Sequence, residues 1–156
     1  GIAVDPLIQG MREEAGDTLI DIVRRGITDI RRDGYRPNYC LMDPLDWETV
    51  VLQKGTDNRY VWVVVTEGAT QRLWSVPVIE TVACEDTMDT MARTVILGDW
   101  RVGATLWDRM QAQIAVGWID DQFIRNMRTI LAELRAAFGV KRPDAFRVYE
   151  TEAGTS

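Results

Sequence analysis

The sequence predicts an α+β chain: helices near the start, a strand-rich middle and two strands at the end. Three observations carry that expectation. From Thr129 to Val140 the even positions Ile130, Ala132, Leu134, Ala136, Phe138 and Val140 are apolar, while Thr129, Glu133, Arg135 and Gly139 stand at odd ones, the period of a strand with one apolar face. Lys141-Arg142-Pro143-Asp144 reads as a turn, and alternation resumes with Phe146, Val148 and Glu150 against Arg147 and Tyr149. Near the other end, Leu19, Ile20, Val23, Ile27 and Ile30 recur at helical spacing. The stretch after Thr129 also fits a helix, since Ile130, Leu131, Leu134 and Phe138 fall near a 3.6-residue stripe. Periodicity leaves both readings open; the Pro turn and the resumed alternation favour two strands.

In chain order, Gly1 to Gly16 reads as a loop with little order of its own. The absence of Met at its start suggests a piece of a longer chain. Asp17 to Asp33 is the first helix, with Asp17 placed to cap, Arg25, Asp29 and Asp33 available for surface pairs, and Gly34 as its stop. Tyr39 to Met42 is a short strand. A second helix starts at Asp43-Pro44, a cap followed by Pro at the first helical position, carries Trp47, Val50 and Val51, and ends at Gly55. Tyr60 to Thr66 and Leu73 to Val82 read as strands, the second bent or at an edge because of Pro77. Cys84 to Met91 is an acidic loop, Thr94 to Leu97 a strand and Gly98 to Gly103 a turn. Ala104 to Trp118 alternates as a long half-buried strand, with Trp118 expected in the apolar layer, and Asp120 to Met127 connects back to Thr129.

Composition bounds the function. The chain has 156 residues, 46% apolar, six Trp and six Met, enough for one core. A formal charge of −6 with scattered Arg argues against a nucleic-acid surface. The longest apolar run, Val61 to Val65, is far too short to span a bilayer, and the N-terminus lacks the pattern of a signal peptide. There is no His, so the commonest general base and metal ligand is missing. Ser75 and Ser156 lie outside any nucleophile-elbow context, and no glycine fingerprint for phosphates is present. Glu85, Asp86 and Asp89 lack the spacing of a calcium loop. Cys40 and Cys84 fit a reducing compartment as small core residues, and their pairing stays open. Of the 18 basic residues only Lys54 and Lys141 are Lys. Arg with Trp suits protein interfaces, although codon bias explains the ratio equally well.

Several segments resemble one family. Leu106-Trp107-Asp108-Arg109-Met110, Asn126 to Glu133 and Lys141-Arg142-Pro143-Asp144-Ala145-Phe146 closely resemble the C-terminal third of the tailed-phage major capsid proteins with the HK97 fold. Upstream, Gly34 to Asn38, Asp43 to Trp47, Arg59-Tyr60 and Leu73 to Val78 match in the same order. The likeness covers almost the whole chain.

The resemblance implies an HK97-like capsid fold. Residues 1–16 would lead in from the region upstream. Residues 17–118 would form the axial domain, a mixed β-sheet with flanking helices, and 119–156 the return and the long C-terminal strands of the peripheral domain. An N-terminal arm, an extended loop and a spine helix would lie upstream, leaving an apolar face on Ile130 to Val140 exposed. The implied role is a structural shell subunit of a phage or prophage, self-assembling into hexamers and pentamers, with no turnover and no cofactor or metal. Its implied partners are other copies, with scaffold, portal and maturation protease, and its place is the virion, assembled in the host cytoplasm. The rivals are an encapsulin-like compartment shell, or a small α+β enzyme or metal-binding domain using Glu85, Asp86, Asp89 and Asp99.

Some capsids of this family join subunits by an isopeptide bond: a Lys on the extended loop attacks an Asn, and a Glu seven residues further on accepts the proton. Asn126 and Glu133 stand at the matching positions, and a buried carboxylate suits that task. Lys54 and Lys141 do not match the attacking Lys. The plainer reading is that Asn126 turns the chain while Glu133 pairs with Arg135 or Arg109.

Overall fold

A computed structural model describes residues 6–54, 71–84, 92–118 and 124–151. The expected strand Tyr60 to Thr66 and the acidic Glu85, Asp86 and Asp89 lie outside them. The described chain forms two compact units, Gly1–Ala104 with Val140–Ser156, and Thr105–Gly139.

In the first unit, β1 (Gln9–Gly10), β2 (Tyr39–Met42), β3 (Arg72–Leu73), β4 (Val76–Glu80), β5 (Arg93–Gly98) and β8 (Phe146–Thr151) make a mixed sheet ordered β1-β8-β5-β2-β4-β3. β1 with β8 and β2 with β4 are parallel; the other pairs are antiparallel. The helices α1 (Leu19–Arg32) and α2 (Pro44–Val51) belong to this unit, as does α3 (Trp100–Gly103), a single helical turn.

α1 buries Ile20, Val23, Ile27 and Ile30, the stripe read from the sequence. Its cap is Thr18 rather than Asp17. The Asp21 carboxylate accepts the Thr18 backbone N–H at 3.1 Å and its hydroxyl at 2.7 Å, and these bonds hold the Asp21 pKa below the usual carboxylate range. Asp17 instead accepts from Arg25 at 2.8 Å, and Asp29 pairs with Arg12 at 2.8 Å. Gly34 follows at φ +89°, a stop that a side chain would strain. In α2, Asp43 accepts the Leu45 N–H at 2.9 Å ahead of Pro44, as the sequence implies. That helix ends at Val51, before Gly55.

Two expectations need correction. The N-terminal stretch is not all loop: β1 pairs Gln9 with Arg147 and Gly10 with Val148, and Met11 is buried. The run from Leu73 to Val82 is two strands, β3 and β4, turning at Trp74 and Ser75, both at positive φ, the signature of a tight hairpin turn. The Trp74 indole N–H donates to Ile20 O at 3.0 Å, which anchors that turn on α1. β8 joins the large sheet between β1 and β5, because Phe146 and Arg147 are buried there and six register pairs hold it to β5. The compact units divide at Ala104 and Val140.

The core of this unit is one cluster between α1, α2 and the sheet, with Val23, Ile27, Ile30, Cys40, Met42, Leu73, Val95 and Leu97 fully buried. A second cluster centres on Phe146. Its ring lies where side chains at Gly98 and Gly103 would project, and Trp100 meets it edge-on at 5.2 Å. Two buried charges are satisfied locally: Asp46 takes Arg93 at 2.8 Å and the Thr151 hydroxyl at 3.0 Å, and Arg147 holds Asp33 and the Asp144 and Phe146 carbonyls.

Candidate assembly interface

The second unit is a ribbon of two long strands, β6 (Ala104–Gly117) against β7 (Thr129–Val140). The alternation read from the sequence dictates what each face presents. A Cβ on Gly139 would lie 2.7 Å from the Trp107 ring, so odd positions of both strands share one face. The even positions therefore share the other. Leu106, Ile114 and Val116 of β6 stand there with Ile130, Leu134 and Phe138 of β7, and Asp108 interrupts them.

That apolar face is bare. Ile114 is 74% exposed, Ile130 70%, Leu106 68% and Leu134 64%. Strands expected to be half-buried are exposed on both faces because, among the described residues, no third strand or second layer covers the ribbon. A two-stranded ribbon is marginal in water by itself, and a contiguous apolar patch marks an interaction surface. Trp118, expected in a core, is 54% exposed, with the Arg128 guanidinium 5.4 Å over its ring.

Asn126 sits in the turn before β7 at φ +57° and is exposed, the left-handed conformation that Asn tolerates well. The turn reading of this residue thus has a physical basis. Glu133 is exposed on the odd face of β7 rather than buried, and makes no ion pair with Arg109 or Arg135 among the described residues. The close approach of Trp107 to Gly139, which reveals the two faces, was missed in sequence. Its signal was a glycine inside a strand, which marks a close approach.

The described surface offers little for chemistry. Cys40 and Cys84 are free and buried; burial pushes their thiols up to about 12 and about 11, which suppresses thiolate reactivity. A cleft of 520 Å³ is lined by Thr18, Leu19, Thr49, Val50, Leu52 and Gln53, none of them ionisable. Another of 340 Å³ carries the charged side chains Arg12, Asp29, Arg32, Asp33 and Arg147; Arg12 pairs with Asp29 and Arg147 with Asp33. Asp99 is buried and accepts the Arg36 N–H at 3.3 Å. Among the described residues no three carboxylate or thiol side chains converge as a metal site.

The phage capsid family model matches residues 7–151. The chain belongs to the phage capsid family. It is 31% identical over 131 residues to the major capsid protein of Enterobacteria phage HK97, an alignment covering 83% of this chain and 32% of that protein. A solved structure from Gordonia phage Cozz superposes with a TM-score of 0.70 at 21% identity, over 96% of this chain and 51% of the other. One from Microbacterium phage Oxtober96 gives 0.66 at 15% identity, over 89% and 50%. A capsid of an empty GTA particle gives 0.64 at 18% identity, over 93% and 48%. The fold is HK97-like, and the chain spans about a third of the length of its curated relative.

Proposed function

We propose that this chain is the greater part of the axial domain and a share of the peripheral domain of a shell-forming major capsid protein. The mixed-sheet unit corresponds to the axial domain and the β6–β7 ribbon to the peripheral one. Membership of the phage capsid family supports the role. The observation that carries it is the ribbon's bare apolar face, which leaves Ile114, Ile130, Leu106 and Leu134 more than half exposed. Water does not favour such a surface on an isolated subunit, whereas burial against another segment or copy of a shell protein stabilises it at roughly 25 cal/mol per Å². The protein's work is then assembly, without substrate or turnover, in a virion built inside the bacterial host with scaffold, portal and maturation protease.

The test is expression of the reading frame that contains this sequence, followed by electron microscopy. Closed icosahedral particles are expected, and their loss when Ile130 and Leu134 are both replaced by Asp. A parent protein that stays monomeric under all assembly conditions overturns the reading.

A further inference from the structure

The six-stranded sheet carries opposite charge at its two ends. One end is built around α3. The Arg36 N–H donates to Asp99, and the Gly103 carbonyl accepts the N–H groups of Lys141 at 2.8 Å and Arg142 at 3.1 Å. These bonds gather Arg36, Arg101 and Arg142 at the start of β2 and the end of β5, and Arg31 lines the same 690 Å³ cleft as Arg36. The guanidinium groups of these four make no ion pair among the described residues, whereas Arg12, Arg25, Arg93 and Arg147 each hold a carboxylate. Three acids lie nearby: Asp99 is buried, Asp33 is engaged by Arg147, and Asp144 sits in the turn before β8. Exposed Tyr39 and half-buried Trp100 stand beside the arginines.

At the other end β2 finishes opposite Glu80 and β5 starts near Glu150, through the register pairs Met42 with Glu80 and Thr94 with Glu150. Both glutamates are exposed and without an ion-pair partner among the described residues. Asp43 and Asp46 are buried at the same end; Arg93 answers Asp46, while among the described residues the Asp43 carboxylate accepts only a backbone N–H. Their field is felt locally, since after burial they are the causes that raise the Cys84 thiol. The two ends stand about 20 Å apart, six residues of β5 at roughly 3.3 Å each.

We propose that the arginine end of one copy docks on the glutamate end of the next, a head-to-tail contact repeated from subunit to subunit. It rests on the reading of the chain as a shell subunit, and it names which surfaces of the sheet unit meet. A second copy is the favoured occupant because the complementary charge is present on the chain itself, whose net charge of −6 disfavours nucleic acid. Arg matches a carboxylate with two parallel hydrogen bonds, and Arg, Trp and Tyr are the residues that dominate protein contacts. Because the two surfaces differ, the contact propagates in one direction, closing a ring when the rotation permits.

The experiment compares the unmodified parent protein with three charge reversals, Arg36→Glu with Arg101→Glu, Glu80→Arg with Glu150→Arg and all four together, and with one neutralised variant. Sedimentation velocity and electron microscopy read the assembled fraction. Each single-end reversal is expected to lower it about tenfold or more at low salt, through like-charge juxtaposition, and the fourfold exchange to restore it. Arg36→Gln with Arg101→Gln should weaken assembly less, and thermal melts identify any variant that misfolds. Single-end reversals that assemble normally, or a fourfold variant as poor as either pair, overturn the contact. So does duplex DNA binding that is lost with Arg36 and Arg101 while assembly persists. An unmodified parent that forms no particles sinks the capsid reading itself; a parent that assembles while folded reversals stay silent sinks only this contact.

Discussion

Phe146 takes the space that a side chain at Gly98 would need: its ring atoms are the nearest neighbours of the position a Cβ on Gly98 would occupy. The two residues face each other across the β5–β8 ladder, so the glycine is a seat for the ring rather than a flexible point. Gly98→Ala is expected to cost about 1–3 kcal/mol, the range for overpacking a fitted core. Phe146→Ala is expected to cost about 3–5 kcal/mol. In urea titrations, Gly98→Ala combined with Phe146→Leu should recover part of the loss. Full additivity would mean that the contact is not what makes alanine costly.

The Asp46–Arg93 pair is nearly enclosed, with side-chain exposures of 3% and 17%. Asp46→Ala leaves Arg93 without its carboxylate and removes one of the two acceptors of the Thr151 hydroxyl, the Arg93 carbonyl remaining at 3.0 Å, so a loss of about 3–5 kcal/mol is expected. Replacing both partners with apolar residues should cost less than the single change. Equilibrium unfolding of the two variants makes the comparison.

Burial raises the Cys40 thiol to about 12. An unfolded thiol ionises near about 8.5, so below that pH the unfolded and folded states bind the same proton and stability is unaffected. As pH rises from there towards 12 the unfolded chain loses a proton the folded chain keeps, and stability falls. Cys40→Ala should flatten that alkaline decline, at the price of a cavity. Thiol-reactive dyes should label the native protein at the rate of its opening, and immediate labelling at neutral pH would contradict the burial.

Trp118 is half exposed at the end of the ribbon. Trp118→Ala should therefore change stability by less than about 1 kcal/mol, well under the cost of emptying a core site. Tryptophan fluorescence during denaturation would expose a larger loss.

We propose Asn126 and Glu133 as crosslinking residues in the assembled parent. In mature particles, denaturing gels should show covalent ladders that vanish with Asn126→Asp or Glu133→Gln. Monomer bands alone would dispose of the idea. Because Glu133 is exposed on this chain, its desolvation would have to come from a neighbouring segment or copy.

The elements whose logic is local were legible in sequence. α1 shows a clean apolar stripe ended by Gly34, α2 an Asp-Pro start, and β6 and β7 an alternation whose strand character the structure bears out. What stayed hidden was long-range. Nothing in Gln9-Gly10 announces a strand, because its two register pairs with Arg147 and Val148 depend on a partner far along the chain. The destination of β8 was hidden for the same reason: a period of two fixes which residues share a face, not which sheet receives them. Likewise the alternation in β6 implied a buried side for Trp118, but burial needs a covering layer, and the described residues provide none. Asn126 and Glu133 were found through resemblance, and their exposure was not readable from spacing.

The strand order β1-β8-β5 sets the timing of folding. On the ribosome β1 emerges first and β8 last of these strands, yet β8 is the one that β1 pairs with and that β5 needs on its outer side. Until β8 arrives, β1 has no strand neighbour among the described residues and β5 lacks one on that side. The sheet therefore completes only after the ribbon has been made, a high-separation closure of the kind that slows folding. A nascent chain that cannot finish its sheet early exposes its open edge to other unfinished chains, the situation in which chaperone protection matters most.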